Sequence, residues 1–562
     1  MEKIWLAHYP KGVPHEVDVR AYTSLSEIFD LSCQQFRDLP AFSNLGATLS
    51  YADVDARATQ FATYLQNVAA IAPGERIAIM MPNLLQYPVA IFGAFRAGLV
   101  VVNCNPLYTA RELEHQLVDS GATAIVVLEN FAHALQEVVA RTAVKVVITT
   151  EVGDLFPLFK RLATNIVVKH VKRMVPAWRI AGAVSLRTAL DSGRGQTLRP
   201  VPLTRDDIAF LQYTGGTTGV PKGAMLTHGN MVANLQQISA WIGQDFKRGT
   251  EIVVTPLPLY HVFALTANLL TFTELGARNV LITNPRDIPA LVAELKGLRF
   301  TVITGVNTLF RAMLDDPGFR EVDMTALKVA FGGGMPVQRA VAAKWLEVTG
   351  TPLIEGYGLT ETSPVVAGNP VGSSAHPETV GMPLPSTEID VRDAEGHELP
   401  TGEVGELCVR GPQVMKGYWK RPDETALVFT ADGWLKTGDL GFMNADGYIK
   451  ITDRIKDMIV VSGFKVYPNE IEEVVMTHPG VLEAAAISAP DERSGEAVKI
   501  VVVRKDPALT AGELIAFCRE RLTGYKVPKI VEFRSEPLPK SAVGKVLRRL
   551  VRDPPAATSK LA

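Results

Sequence analysis

The sequence predicts an α/β protein: a large N-terminal domain over residues 1–454, with largely parallel sheets covered by helices, and a small α+β domain over residues 455–562. Short β-branched runs (RIAIM, AIVVL, KVVIT, NVLIT, TVITG) recur between amphipathic stretches such as QYPVAIFGAFRAG and IPALVAELKG, the rhythm of buried strand and covering helix. After Ile449 the text changes: ITDRIKDMIVVSGFKVYPNEIEEVV reads as strand, charged turn, strand and capped helix. Paired strands in AAAISAP and AVKIVVVRKD and a helix in AGELIAFCRERL complete a unit of about a hundred residues. The hinge is placed between Asp453 and Lys456. An earlier break at LPSTEIDV is passed over, because strand-like GELCVRG continues beyond it without a change of character.

Composition narrows the function classes. The chain has 562 residues, 47% hydrophobic and 21% charged, with a formal charge of -2, so nothing draws it as a whole toward nucleic acid or an anionic surface. Cys33, Cys104, Cys408 and Cys518 stand far apart with no CxxC pair, which argues against a disulfide framework or a zinc site and fits a reducing cytoplasm. The N-terminus lacks the apolar core of a signal peptide, and the apolar run VAIFGAFRAGLVVV is broken by Arg96 and too short to span a membrane.

One segment stands apart. Between Leu155 and Leu190 there is no acidic residue, while Lys160, Arg161, Lys169, Lys172, Arg173, Arg179 and Arg187 are interleaved with Phe156, Phe159, Ile166, Val171 and Trp178. The ordinary reading, which the sequence favours, is a solvated helix with its apolar side on the core; the other is contact with an anionic membrane surface.

The chemistry concentrates first in YTGGTTGVPKG, Tyr213 to Gly223. It fails the Walker order, because Lys222 precedes Gly223, and FGGGMP fails the dinucleotide pattern, because Val337 stands at the third glycine's place. The flanks IAFLQY and GAMLT read as strands, and Asn230 as the cap of the helix that follows. Glycines let successive N–H groups turn toward one anion, threonine hydroxyls add donors and Lys222 adds charge, a set that suits a polyphosphate. A plain hairpin would need a shorter loop.

This loop resembles the signature of the adenylate-forming superfamily: acyl-CoA synthetases, luciferases and peptide-synthetase adenylation domains. LPLYHVFAL, FGGGMP, GYGLTET, GWLKTGD, DRIKDMIVVSGFKVYPNEIE and PKSAVGKVLRR agree with it in order along the chain, and MPNLLQYPVAIFGAFRAG and NPLYTARELEHQL resemble bacterial long-chain fatty-acid–CoA ligases. The resemblance implies two steps. ATP and a carboxylate give an acyl-adenylate and pyrophosphate; CoA then displaces AMP.

It also implies roles. Tyr213, Thr214, Gly215, Gly216, Thr217, Thr218, Gly219 and Lys222 hold the phosphates, and Thr214 and Glu361 the Mg²⁺. Gly332, Gly333 and Gly334 line the adenine, Tyr357 stacks on it, Thr360 lies near the α-phosphate, and Asp439 takes the ribose beside Arg454. Lys545 is the adenylation lysine. The C-terminal domain rotates about Lys456 and next presents Gly463 to the CoA arm. His261, Val262, Phe263, Gly305, Val306, Asn307 and Thr308 wall the acyl tunnel; Val262, Phe263 and Ala264 stand where some relatives carry a gate tryptophan. Taken alone, Tyr357 reads as a core aromatic, Asp439 as part of a turn, His261 as a satisfied core histidine and Lys545 as a solvated tail lysine.

The expected protein is thus a cytoplasmic long-chain fatty-acid–CoA ligase using Mg²⁺, ATP and CoA, with peripheral contact at the anionic inner membrane, no nucleic-acid partner, and a homodimer left open. Its rivals are a medium-chain or aryl acid–CoA ligase, an acyl-AMP ligase, and an inactive acyl- or nucleotide-binding homologue.

Overall fold

The β-branched runs become buried strands, and their order in the sheets sets where the loops meet. The computed structural model describes residues 2–214, 220–243, 246–373, 378–491, 493–541 and 544–553. Among them RIAIM, AIVVL and TVITG fall in strands Arg76–Met80, Ala124–Leu128 and Val302–Gly305, while KVVIT and NVLIT are shifted by a residue to Val146–Thr150 and Arg278–Leu281.

A seven-stranded sheet runs in the order Val184–Ser185, Val146–Thr150, Ala124–Leu128, Arg76–Met80, Val100–Asn103, Ile208–Thr214, Lys222–Thr227. Only its last pair is antiparallel. A nine-stranded sheet has a parallel centre through Leu353–Gly358, Val329–Gly332, Val302–Gly305, Ile252–Thr255, Arg278–Leu281 and Pro40–Asn44, with antiparallel edges. Parallel strands buried on both faces need apolar side chains throughout, which is why these runs are continuous rather than alternating.

Helix Gln86–Arg96 is buried along its length up to Phe95. At its end the Arg96 guanidinium lies 2.6 Å from both Asp30 and Asp55 and over the ring of Phe29, which stacks on Phe92 at 3.9 Å. The charge is tolerated there because two carboxylates accept from it.

A separate antiparallel sheet begins at Glu388, within LPSTEIDV, and contains Glu388–Arg392, Gly405–Arg410, Leu435–Met443 and Ile449–Arg454. The turn Ile455–Asp457 follows, and then a five-stranded sheet with its own apolar core of Ile459, Val466, Ile471, Val475, Ile500, Leu514 and Cys518. The strands expected from AAAISAP and AVKIVVVRKD pair antiparallel as Val481–Asp491 and Gly495–Arg504.

Two expectations are corrected. Thr227, not Asn230, caps helix His228–Ile242; Asn230 stands at the third helical position and returns a bond to the Thr227 N–H, completing a capping box. Past Phe156, which is buried in the core, the basic segment does not put its apolar side inward: helix Leu158–Ile166 and the turn Val167–Val171 contain no buried residue, and Phe159 is 86% exposed. No helix among the described residues is long and apolar enough to cross a membrane.

All four cysteines are free and buried. Burial pushes the Cys33 and Cys408 thiols up to about 12 and Cys518 to about 11, and raises Cys104 further. The native protein should therefore react negligibly with a thiol-disulfide reagent such as dithionitrobenzoate, and should release four equivalents once denatured. Fast native labelling of any of them would contradict the burial.

Candidate active site

The hairpin that frames the glycine loop is set by strand register. Thr214 faces Lys222 across the antiparallel pair Ile208–Thr214 and Lys222–Thr227. Gly215, Gly216, Thr217, Thr218 and Gly219 lie outside the described residues. Tyr213 turns its hydroxyl to Asp119 Oδ2 at 2.6 Å, where Arg421 also binds Oδ1 at 2.8 Å; its ring packs beneath Gly223, where a Cβ would come within 3.2 Å of it. Lys222 pairs with Glu424 and sits 5.2 Å from the centre of the Tyr418 ring. The Tyr418 hydroxyl donates to Glu361 Oε1 at 2.7 Å, and the Met415 N–H donates to the Glu361 carbonyl at 2.8 Å.

Glu361 therefore reaches the hairpin through segment 415–419, which bridges to it at Ala224 and Tyr418. Thr214 and Glu361 offer one hydroxyl and one carboxylate, both oxygen donors. Among the described residues no group of three or more His, Cys, Asp or Glu side chains is poised for a metal. So sparse a set fits Mg²⁺, which takes most of its ligands from water and phosphate oxygens.

The second wall comes from neighbouring parallel strands. Gly305, Gly332 and Glu355 align across Val302–Gly305, Val329–Gly332 and Leu353–Gly358. A Cβ on Gly332 would lie 2.6 Å from Val337, and one on Gly333 would lie 2.9 Å from the Phe263 ring; Gly334 has φ +77, left-handed backbone that glycine adopts without strain. Glu355, which the sequence reading missed, accepts from the Val337 N–H at 3.0 Å, and burial pushes its carboxyl up to about 7. From the end of the same strand the Tyr357 hydroxyl donates to Asp439 Oδ2 at 2.7 Å, and Arg454 Nε lies 2.9 Å from Asp439 Oδ1. Asp439 and Arg454 are register partners in the antiparallel sheet, so that sheet delivers both. Burial, and then the Asp439 charge, raise the Tyr357 phenol far above its ordinary range. Thr360 opens the short turn Thr360–Thr362 that carries Glu361.

The apolar wall follows from a buried polar chain. Tyr87 donates to Asn103 at 2.7 Å, Asn103 to Gln212 at 2.9 Å, and Gln212 to the Tyr260 carbonyl at 2.8 Å, which fixes the approach to His261. His261 Nδ1 accepts from the Phe263 N–H at 3.4 Å, and burial lowers its pKa to about 4, so it is neutral at physiological pH. Val262 and Phe263 are buried; the Phe263 ring meets Phe331 edge-on at 5.8 Å. Gly305 leaves room for the Phe310 ring, 2.8 Å from where a Cβ would be.

A turn that follows the C-terminal sheet brings in the lysine. Gly544, at φ +82, would place a Cβ 3.0 Å from Thr308 Oγ1 and 3.6 Å from Val306, so the turn carrying Lys545 lies against the wall that holds Gly305 and Val306. Burial, and then the Arg454 charge, depress the Lys545 ammonium to about 8 against the pull of Asp439. Arg548 fastens this turn to the segment around Ile455–Asp457, reaching Glu472 at 2.7 Å, Asp453 at 3.2 Å and Asp457 at 3.3 Å. Lys456 lies in the turn Ile455–Asp457, its pKa lowered by burial and then by Arg454.

The structure thus gathers Lys545, Arg454, Asp439, Tyr357, Gly332 to Gly334, Phe263 and Val306. Gly463 is not among them: it tips the hairpin of Ile459–Val461 and Phe464–Val466, and nothing lies within 4 Å of where its Cβ would be. Asp119, Tyr418 and Glu424 were missed along with Glu355. Tyr418 and Glu424 sit in KGYWKRPDET, whose only local signal is a proline-started helix.

The chain matches the family model for AMP-binding enzyme over residues 29–419 and that for AMP-binding enzyme C-terminal domain over residues 470–545. It is 56% identical to a long-chain-fatty-acid–CoA ligase of Escherichia coli O6:H1 over 98% of both chains, and 38% identical to one of Bacillus subtilis strain 168 over 98% of this chain and 97% of that one. Among solved structures, an ATP-bound RpMatB-BxBclM chimera superposes with a TM-score of 0.80 at 28% identity, covering 94% of this chain and 98% of that one. The anthranilate CoA ligase AuaEII with anthranoyl-AMP, 24% identical, shares the fold with a TM-score of 0.83 over 95% of this chain and 98% of its own. By motif order, fold and similarity over nearly its whole length, the chain belongs to the AMP-binding enzyme family.

Proposed function

We propose that this chain is an AMP-forming long-chain fatty-acid–CoA ligase, which turns ATP, a long-chain fatty acid and CoA into acyl-CoA, AMP and diphosphate through an acyl-adenylate. The observation that carries this reading is the Lys545 turn set between the Tyr357–Asp439–Arg454 cluster and the apolar wall at Val306 and Thr308. A cation between a nucleotide site and an acyl site is what joining the two requires. Identities of 53% to 56% with long-chain-fatty-acid–CoA ligases over nearly the full length support the substrate class.

A carboxylate is a poor electrophile because its leaving group would be oxide. Attack of its oxygen on the α-phosphorus, with diphosphate leaving, replaces oxide by AMP. Residues 1–454 hold both reactants: Asp439 accepts from the ribose hydroxyls, Tyr357 covers the adenine along Gly332 to Gly334, and neutral His261 keeps the acyl wall free of charge. Thr214 to Gly219 and Lys222 hold the departing diphosphate, so Lys222 must exchange Glu424 for phosphate. Thr214 and Glu361 would hold Mg²⁺, whose charge would offset that of the phosphate oxygens. Lys545 bridges the attacking oxygen and the α-phosphate, with Thr360 near the latter, and it stabilises charge without transferring a proton.

Diphosphate then leaves, and residues 455–562 rotate at Lys456 to bring the Gly463 strand to the site. The CoA sulfur attacks the acyl carbon, AMP departs, and the thiol proton passes to solvent. Gly463 lacks the side chain that would obstruct a thin pantetheine arm. A cytoplasmic enzyme that visits the anionic inner face of the membrane would meet such an acid where it partitions. Nothing among the described residues requires a homodimer.

AMP release in the presence of CoA, measured across saturated acids from short to long and across aromatic acids, should be fastest with long chains. An optimum on benzoate-like acids would replace this reading with an aryl-acid ligase. Lys545→Ala should lower carboxylate-dependent ATP–diphosphate exchange by at least about 10² to 10³, yet still convert supplied acyl-adenylate to acyl-CoA. Normal exchange in that variant would remove Lys545 from the first step.

Lys545 is cationic below its pKa of about 8 and neutral above it, so exchange should fall as pH rises through that value. Whatever exchange remains in Lys545→Arg should lack this alkaline limb, since arginine keeps its charge throughout. An unchanged limb in the arginine variant would assign the titration to another group.

A further inference from the structure

Helix Leu158–Ile166, the turn Val167–Val171 and the residues on to Met174 form an amphipathic segment turned inside out. Its polar side faces the protein: Asn165 donates to Glu151 Oε2 at 2.8 Å and accepts from the Gly153 N–H at 2.8 Å, and Lys169 reaches Glu129 at 3.2 Å. Its apolar side faces solvent, with Phe159 86% and Val171 70% exposed and Leu158, Leu162, Ile166 and Met174 each about half exposed. A Cβ on Gly46 would lie 2.8 Å from Lys160 Nζ, so the exposed Leu45 extends the same surface. A contiguous exposed stripe of this kind calls for a partner.

Charge decides which partner. No acidic residue occurs between Leu155 and Leu190, and among the described residues no carboxylate forms an ion pair with Lys172, Arg173 or Arg179. A second copy docking by two-fold symmetry would bring the same cations face to face. An anionic bilayer instead offers hydrocarbon to an irregular apolar stripe and phosphates to its basic rim. The helix also follows strand Val146–Thr150 and is tied through Glu151 to that strand's carboxyl end, on the parallel sheet that supplies the loop hairpin.

We propose that this face seats on an anionic phospholipid surface, with Phe159, Leu162, Ile166 and Val171 at the boundary of headgroups and acyl chains and Lys172, Arg173 and Arg179 at the phosphates. It rests on the reading that the substrate is a fatty acid dissolved in membranes, but its test does not use acyl-CoA formation from such an acid.

The test is flotation of the full-length enzyme with vesicles of phosphatidylcholine alone or mixed with phosphatidylglycerol. The wild type should float with the mixed vesicles, less so as salt rises, and not with phosphatidylcholine alone. F159S/V171S and K172E/R173E should each lower partitioning by about tenfold or more. Both should keep wild-type ATP–diphosphate exchange with a water-soluble acid, which shows that they are folded. Equal flotation of wild type and both variants would overturn the proposal. So would a wild type that fails to float but is dimeric where F159S/V171S is monomeric, an outcome that assigns the face to a second copy. Failure of flotation together with a long-chain optimum in solution would remove this surface and leave the ligase reading standing.

Discussion

The site depends on one buried carboxylate. Asp439 is held by the Tyr357 hydroxyl on one side and the Arg454 guanidinium on the other, and each belongs to a different part of the architecture. Tyr357 ends a strand of the nine-stranded sheet, Asp439 lies within the small antiparallel sheet, and Arg454 is the last residue before the turn Ile455–Asp457. Two charged groups and a phenol are kept there because each satisfies the others. Removing the carboxylate would leave a guanidinium beside a half-buried lysine, with Asp457 and Glu361 as the remaining carboxylates that act on the guanidinium.

The position of Lys545 follows from the same constraint. Its ammonium is depressed by burial and by Arg454 and supported by Asp439, so the pair proposed for the ribose end of the site also tunes the residue proposed for the reaction. Arg548 adds the mechanical part. By binding Asp453, Asp457 and Glu472 together it ties the lysine's turn to the segment about which the domain is proposed to move, so hinge and lysine are coupled by one side chain.

The parallel strands were legible because β-branched runs buried on both faces leave no other reading, and the small antiparallel sheet from Glu388 was missed because its alternating text resembles what precedes it. Asn230 was taken for a cap because either end of a capping box can look like one; only the return bond from Thr227 tells them apart. The basic segment shows the limit of periodicity, which marks an apolar stripe without saying which way it turns. Lys545, Asp439 and Arg454 came from motifs and are brought together here. Asp119, Glu355, Tyr418 and Glu424 act through partners far along the chain, as Tyr418 does with Glu361, and nothing local in their own text announces that contact.

The fit of Gly544 against Thr308 and Val306 has a pharmacological consequence. With only 3.0 Å between the place of a Cβ and the Thr308 hydroxyl, the seam closes without a spare methyl group. A small molecule lodged there would act as a wedge, holding the C-terminal turn away from a nucleotide and acid that remain bound. Such a molecule would act on closure of the seam, and its fit would depend on the side chains at positions 306 and 308.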